Sequence, residues 1–146
     1  AISSFLKNDV EPWDKVILPC GTGASLQGLV AGVQKQQVPV RGIIGTGVLN
    51  NLSELRQALQ STTVSNALDV EIVDGVFWGY GKLPPPLRQF MGHFEQSTGV
   101  LLDPVYTVKM LYWLKGEIET KKISDGERIL VIHTGGIQGR RGFSGL

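Results

Sequence analysis

The stretch VILPCGTGASLQGLVAGV, residues 16–33, constrains the fold of this chain more than any other. Lys15 to Pro19 carries a short, nearly unbroken apolar run instead of an alternation of apolar and polar residues. A strand of that kind suits burial on both faces, as in the interior of a parallel sheet. A few small residues later, Leu26, Leu29, Val30 and Val33 fall at i, i+3, i+4 and i+7, so a helix from about Ala24 to Lys35 has one apolar face. Strand, short loop and helix follow one another with nothing between them.

The same alternation continues along the chain. Val38 to Val48 reads as a second strand, and Asn51 or Ser53 is placed to cap a short helix through Leu59. Asp69 to Gly75 reads as a third strand. After the loop GVFWGYGKLPPP, helical spacing returns at Leu87, Phe90, Met91 and Phe94. Asp103-Pro104 reads as a helix start, with Asp as the cap and Pro at the first helical position. That helix is expected to run to about Thr120, with Val108, Leu111, Tyr112, Leu114 and Ile118 turned inward. Gly126 to Gly136 reads as a final strand, and residues 1–14 as a helix end and a turn. The pattern predicts an α/β protein: a three-layer parallel sheet with helices on both faces. Residues 1–146 form a single domain, without internal repeats or a linker.

Composition sets the outer bounds. With 146 residues, 42% of them hydrophobic, the chain can build one sizeable core. A net charge of +1 gives no reason to expect nucleic acid, an anionic membrane or an acidic partner. No apolar run is long enough to span a bilayer, and the first residues lack a basic segment followed by an apolar one. The one cysteine, Cys20, rules out an intrachain disulfide and points to the reducing cytoplasm. No Cys/His cluster has the spacing of a metal site. The 19 glycines gather at strand ends, where they serve tight turns or ligand contact.

Parallel α/β sheets bind ligands at the carboxyl ends of their strands. Three loops of interest fall there: Cys20 to Ser25, Gly75 to Lys82, and His133 to Gly136. Gly21, Thr22, Gly23, Ala24 and Ser25 enter a helix amino end, where unpaired N–H groups and the helix dipole favour an anion. They make either a phosphate cradle or simply a tight strand-to-helix turn. The loop is neither a Walker loop nor a G-x-G-x-x-G fingerprint, since position 26 is Leu. Thr134 can present its hydroxyl to a ring nitrogen or a carbonyl, or bond nearby backbone at a polar strand end. His133 reads as a hydrogen-bonded structural residue. Tyr106 and Thr107 stand in the first turn of their helix; a phenol there gates a ligand or moves protons if its pKa is perturbed. The plainer alternative has Tyr106 packed with its hydroxyl at the surface and Lys109 solvated. Tyr80 either projects into a cleft or anchors its loop. Cys20 reads as a small buried thiol.

Taken together, GTGASLQGL, GYGK, TGVLLDPVYTVKM and ILVIHTGGIQG resemble, in order and spacing, the D-cysteine desulfhydrase / 1-aminocyclopropane-1-carboxylate deaminase family. These are pyridoxal-phosphate enzymes (fold type II) of the tryptophan synthase β-like fold, and the resemblance covers about Trp13 to Gly142. It implies that Gly21, Thr22, Gly23, Ala24 and Ser25 bind the cofactor phosphate and that Thr134 faces the pyridine nitrogen. It implies that Tyr80 and Tyr106 line the substrate pocket with Thr107 beside them. True cyclopropane deaminases carry Glu after this Tyr and Leu in place of Thr134, so Thr at both positions favours the D-cysteine desulfhydrase-like branch. Val108 departs from the family's Gly, and its branched side chain is expected to crowd the pocket or shift Lys109.

The family's cofactor-linked lysine and the Ser-Asn loop that holds the substrate carboxylate lie in its amino-terminal half, and no segment here resembles them. Lys15, Lys82 and Lys109 are the nearest by loop position, but none has that lysine's context. The resemblance therefore makes residues 1–146 most of the large cofactor-binding domain, with the lysine-bearing half absent. The implied whole enzyme eliminates a β-substituent from a small D-amino acid or deaminates it, and this chain alone is expected to be inactive. A homo-oligomer or the missing half is the expected partner. The alternatives are a truncated domain binding a phosphorylated small molecule without catalysis, and a structural or interaction domain.

Overall fold

A computed structural model of the protein describes residues 11–60 and 67–145; the turn expected within residues 1–14 falls mostly outside them. Four strands, β1 (Trp13–Cys20), β2 (Val40–Gly47), β3 (Asp69–Asp74) and β4 (Ile129–Val131), form one parallel sheet in the order β3-β2-β1-β4. The chain builds outward from β1 to β3, then returns to add β4 on the other side of β1. The strand order therefore reverses between β1 and β4, and a crevice opens at their carboxyl ends.

Alternation along β1 sends successive side chains to opposite faces. Val16, Leu18 and Cys20 pack beneath α1 (Ala24–Gln36) and Leu55 of α2 (Leu52–Gln60). Ile17 points the other way, onto Met110 and Leu114 of α4 (Thr107–Glu119) and Ile44 of β2. The helix α3 (Pro85–Thr98) packs on α4 through Leu87, Met91, Leu102 and Val108. The three-layer parallel α/β architecture expected from the sequence is the one observed.

Three local expectations are corrected. The last strand pairs over only Ile129–Val131, with one further bond from the Ile132 N–H to the Ile17 carbonyl (2.8 Å). Beyond it, the His133 ring bonds the Leu101 carbonyl (2.9 Å) and accepts from the Gly135 N–H (2.9 Å), turning the chain off the sheet. The helix expected from Asp103 begins at Thr107, because the Asp103 carboxylate holds residues 105–107 in a preceding turn. Ile118 is 49% exposed rather than inward, at the open end of an apolar groove between α3 and α4.

Some glycines are required by close packing and others are not. A β-carbon on Gly75 would lie 2.2 Å from the Thr46 methyl, whereas one on Gly28, in α1, would meet nothing within 4 Å. Gly75→Ala is expected to destabilise the chain by about 1–3 kcal/mol, with Thr46→Ser recovering part of the loss. Gly28→Ala is expected to stabilise it by about 0.5–1 kcal/mol. Urea unfolding of the three variants checks both signs.

Candidate functional site

A cavity of about 400 Å³ occupies the crevice. Its floor is Pro19 to Ser25, its sides are Leu49 and Tyr106, and its far wall is Thr134, Gly135, Gly136 and Gln138. All of the glycine-loop residues and Thr134, proposed from sequence as one set, thus converge on one space.

The glycine loop enters α1 without a side-chain cap. Gly23 holds φ at +89°, where a side chain is disfavoured, and a β-carbon there would lie 2.7 Å from Leu55. The first helical bond runs from the Gln27 N–H to the Gly23 carbonyl (3.0 Å). The N–H groups of Ala24, Ser25 and Leu26 therefore have no acceptor within the helix. Thr22 and Ser25 are exposed beside them. Asn51 fixes the loop from outside: its Nδ2 donates to the Gly21 carbonyl (3.1 Å), while its Oδ1 is buried without a partner. Asn51 does precede α2, and its carbonyl accepts from the Leu55 N–H (3.0 Å). Its side chain serves the neighbouring loop instead.

Tyr106 lies across Gly21, its ring 3.3 Å from where a β-carbon on that glycine would sit. Burial, the nearby Tyr80 phenol and the Asp103 charge all push the Tyr106 phenol above its ordinary pKa. Asp103, 2% exposed, sets the position of Tyr106. Its Oδ1 accepts from the N–H groups of Val105 (3.0 Å) and Tyr106 (2.8 Å), and its Oδ2 from that of Thr107 (2.6 Å). A β-carbon on Gly136 would lie 3.3 Å from the Asp103 Cβ, so the Thr134 loop packs on the same residue. Glu95 and Arg140 brace this region: beside their ion pair, Glu95 accepts from the Leu102 N–H and Arg140 donates to the Leu102 carbonyl.

The remaining candidates divide. Tyr80 is 54% exposed and stands outside the cavity lining, reaching the site through Tyr106. Thr107 is 1% exposed, its Oγ1 is buried without a partner, and it does not line the cavity. Val108 is fully buried against α3 and does not line the cavity, so it does not crowd it. Lys109 is not solvated: it is fully buried and bonds three backbone carbonyls. Lys15 pairs with Glu127 near the amino end of β1. None of the 13 lining residues, all among the described residues, is a lysine. Cys20 lies in the floor, and burial raises its thiol to about 12. Leu49 and Gln138 carry no functional signal in the sequence, and nor does the bond from Asn51 to the glycine loop. Asn51 carries a signal only as a candidate cap.

No protein-family model matches the chain. It is 33% identical over 95% of its length to a Pyrococcus horikoshii protein provisionally named 1-aminocyclopropane-1-carboxylate deaminase, covering 44% of that protein. It is 32% identical to the D-cysteine desulfhydrase of Yersinia enterocolitica, over 85% of this chain and 40% of that one. It is 30% identical to the mitochondrial bifunctional D-cysteine desulfhydrase/1-aminocyclopropane-1-carboxylate deaminase of Arabidopsis thaliana, over 87% of this chain and 33% of that one. The crystal structure of an ACC deaminase homologue superposes with a TM-score of 0.69 at 29% identity, over 91% of this chain and 42% of that one. The chain thus spans a third to somewhat under half of the length of these relatives. No helix among the described residues is long and apolar enough to cross a membrane.

Two outcomes follow from the geometry. Asp103→Ala leaves three N–H groups without their acceptor and is expected to cost about 2 kcal/mol, with Asp103→Asn costing less; thermal unfolding measures both. A thiol held near 12 stays protonated at pH 8, so Cys20 is expected to react with a disulfide reagent far more slowly in the folded chain than in guanidinium.

Proposed function

Since this chain is related over most of its own length to the D-cysteine desulfhydrases and 1-aminocyclopropane-1-carboxylate deaminases, we propose that its cavity is the phosphate and ring-nitrogen side of a pyridoxal-phosphate site. The observation that carries this reading is the convergence of the uncapped start of α1, the exposed Thr134 hydroxyl and the Tyr106 ring on one space. The fit is favourable. Three N–H groups without helical acceptors and the Thr22 and Ser25 hydroxyls match a phosphate in number and kind, and the helix dipole adds to them. Glycine at position 21 leaves room beneath Tyr106 that a side chain would fill.

When bound, pyridoxal phosphate supplies an electron sink for charge developing beside a substrate's amino nitrogen. The residues of this chain bind and orient. Thr134 is a neutral donor, and a neutral donor suits a ring nitrogen left unprotonated. Tyr106 keeps its proton at neutral pH, as an ordinary phenol does, and the upward push on its pKa reinforces this; it serves as a hydrogen-bond donor. The reaction assigned to the whole enzyme is loss of a β-substituent from a small D-amino acid, or its deamination. Thr107 and Thr134 favour the D-cysteine-like branch through the family resemblance. The base for such chemistry is an amine outside this cavity, supplied by another segment or a second chain. Residues 1–146 alone are proposed to be inactive. The buried lone thiol accords with a place in the cytoplasm.

Equilibrium dialysis against pyridoxal phosphate tests the reading. Saturable binding displaced by inorganic phosphate is expected. Ser25→Ala and Thr134→Val are each expected to weaken it by about 3–10-fold, the loss of roughly one hydrogen bond. Absence of binding overturns the cofactor site. A single lysine trapped by borohydride reduction overturns the proposed inactivity of the chain alone.

A further inference from the structure

Lys109 is a buried cation whose partners explain the shape of a neighbouring loop. It is fully buried in the first turn of α4, and its ammonium donates to the carbonyls of Val76 (2.6 Å), Phe77 (3.2 Å) and Gly79 (2.5 Å). An ammonium has three donors, and here each has an acceptor. A buried charge is tolerated only when its hydrogen bonds are met in this way. The loop gains as much as the lysine does. Phe77 (φ +25°), Trp78 (φ +58°), Gly79 (φ +102°) and Gly81 (φ +65°) all adopt positive φ, which for Phe and Trp is a strained backbone. Such a run persists only when its surroundings fix it.

One stripe along α4 and its N-cap residue does the fixing. Tyr106, Lys109 and Tyr112 are spaced three apart, so they share a side of the helix. At one end, Tyr112 packs on the rings of Phe77 (5.5 Å between centroids) and Trp78 (5.7 Å). In the middle, the Lys109 ammonium gathers the carbonyls. At the other end, Tyr80, one residue beyond the last of those carbonyls, comes to Tyr106.

We propose that Lys109 is a positioning residue that holds the Gly75–Lys82 loop so that Tyr80 meets Tyr106, thereby fixing the tyrosine side of the cavity. Lys109 has no free donor and no exposed surface, so it acts through the loop and not on a ligand. Only the effect on ligand binding rests on the cofactor reading.

The primary test is therefore made without ligand. Tyrosine labelled at Cζ with carbon-13 lets the titration of Tyr106 be followed by NMR in the full chain. Tyr80→Phe removes the Tyr80 phenol and is expected to lower the Tyr106 midpoint. Lys109→Met is expected to lower it in the same direction and to a similar extent, and the double variant is expected to add little. Loss of a nearby positive charge by itself raises a phenol pKa, so a fall in Lys109→Met reports loosening of the loop around Tyr106, and the small further change in the double variant assigns it to Tyr80. An unchanged or raised midpoint in the folded Lys109→Met chain overturns the proposal. If that variant does not fold, Lys109→Gln still serves part of the carbonyl set; an intermediate fall is expected, and none overturns it. With pyridoxal phosphate as the probe, Lys109→Met and Tyr80→Phe are both expected to weaken binding about 3–10-fold, the scale of one hydrogen bond. Falling midpoints with unchanged binding uphold Lys109 as the positioning residue and count against the tyrosines' part in the cofactor site.

Discussion

Everything at the site depends on β1 standing inside the sheet. It pairs with β2 on one side and β4 on the other, and its residues from Val16 to Cys20 are buried. A strand covered on both faces and both edges can end only at its tips. Its carboxyl tip opens where the strand order reverses, so the loop that follows faces a crevice and not another strand. The start of α1 is there because Leu26, Leu29, Val30 and Val33 must return over the same face as Val16 and Leu18. The free N–H groups of the cavity are thus a by-product of core packing.

Two buried charged side chains then give that crevice its walls. Asp103 collects three N–H groups and abuts Gly136, so one carboxylate sets both the Tyr106 turn and the seat of the Thr134 loop. Lys109 collects three carbonyls and sets the loop that bears Tyr80. One gathers donors and the other gathers acceptors. Both work on irregular backbone, whose polar groups would otherwise go unmet away from a strand or helix. In each case the ionic side chain acts as a fastener for a loop.

The relatives give these parts a context without changing their physics. The match runs along nearly all of this chain and less than half of each relative, so it bears on the sheet, the glycine loop and the tyrosine wall. Among the described residues, no lysine lines the cavity. On the proposed reading, phosphate and ring recognition reside in one part of a polypeptide and the reacting amine in another. A crevice at a strand-order reversal permits this, because its open side can be completed by a different segment.

The sequence by itself determined the layers. Apolar runs and helical spacing are local properties, and they specified three strands and the helices with boundaries within a few residues. They also placed Gly21 to Ser25 at a helix start and Thr134 at the end of the last strand, whereas it lies three residues beyond β4. They misplaced features that depend on neighbours. The last strand was read as eleven residues and pairs over three, because His133 bonds Leu101, distant in sequence. Ile118 kept helical phase but outran its partners. Thr107 and Val108 sit beside Tyr106 in sequence yet point into the protein, since successive residues of a helix start diverge by about 100°. Lys109 looked like a solvated helix lysine, because a cation's partners are invisible when they are backbone carbonyls some thirty residues away. Only the tertiary structure decided which polar groups meet, since that depends on distances between segments that no local pattern encodes.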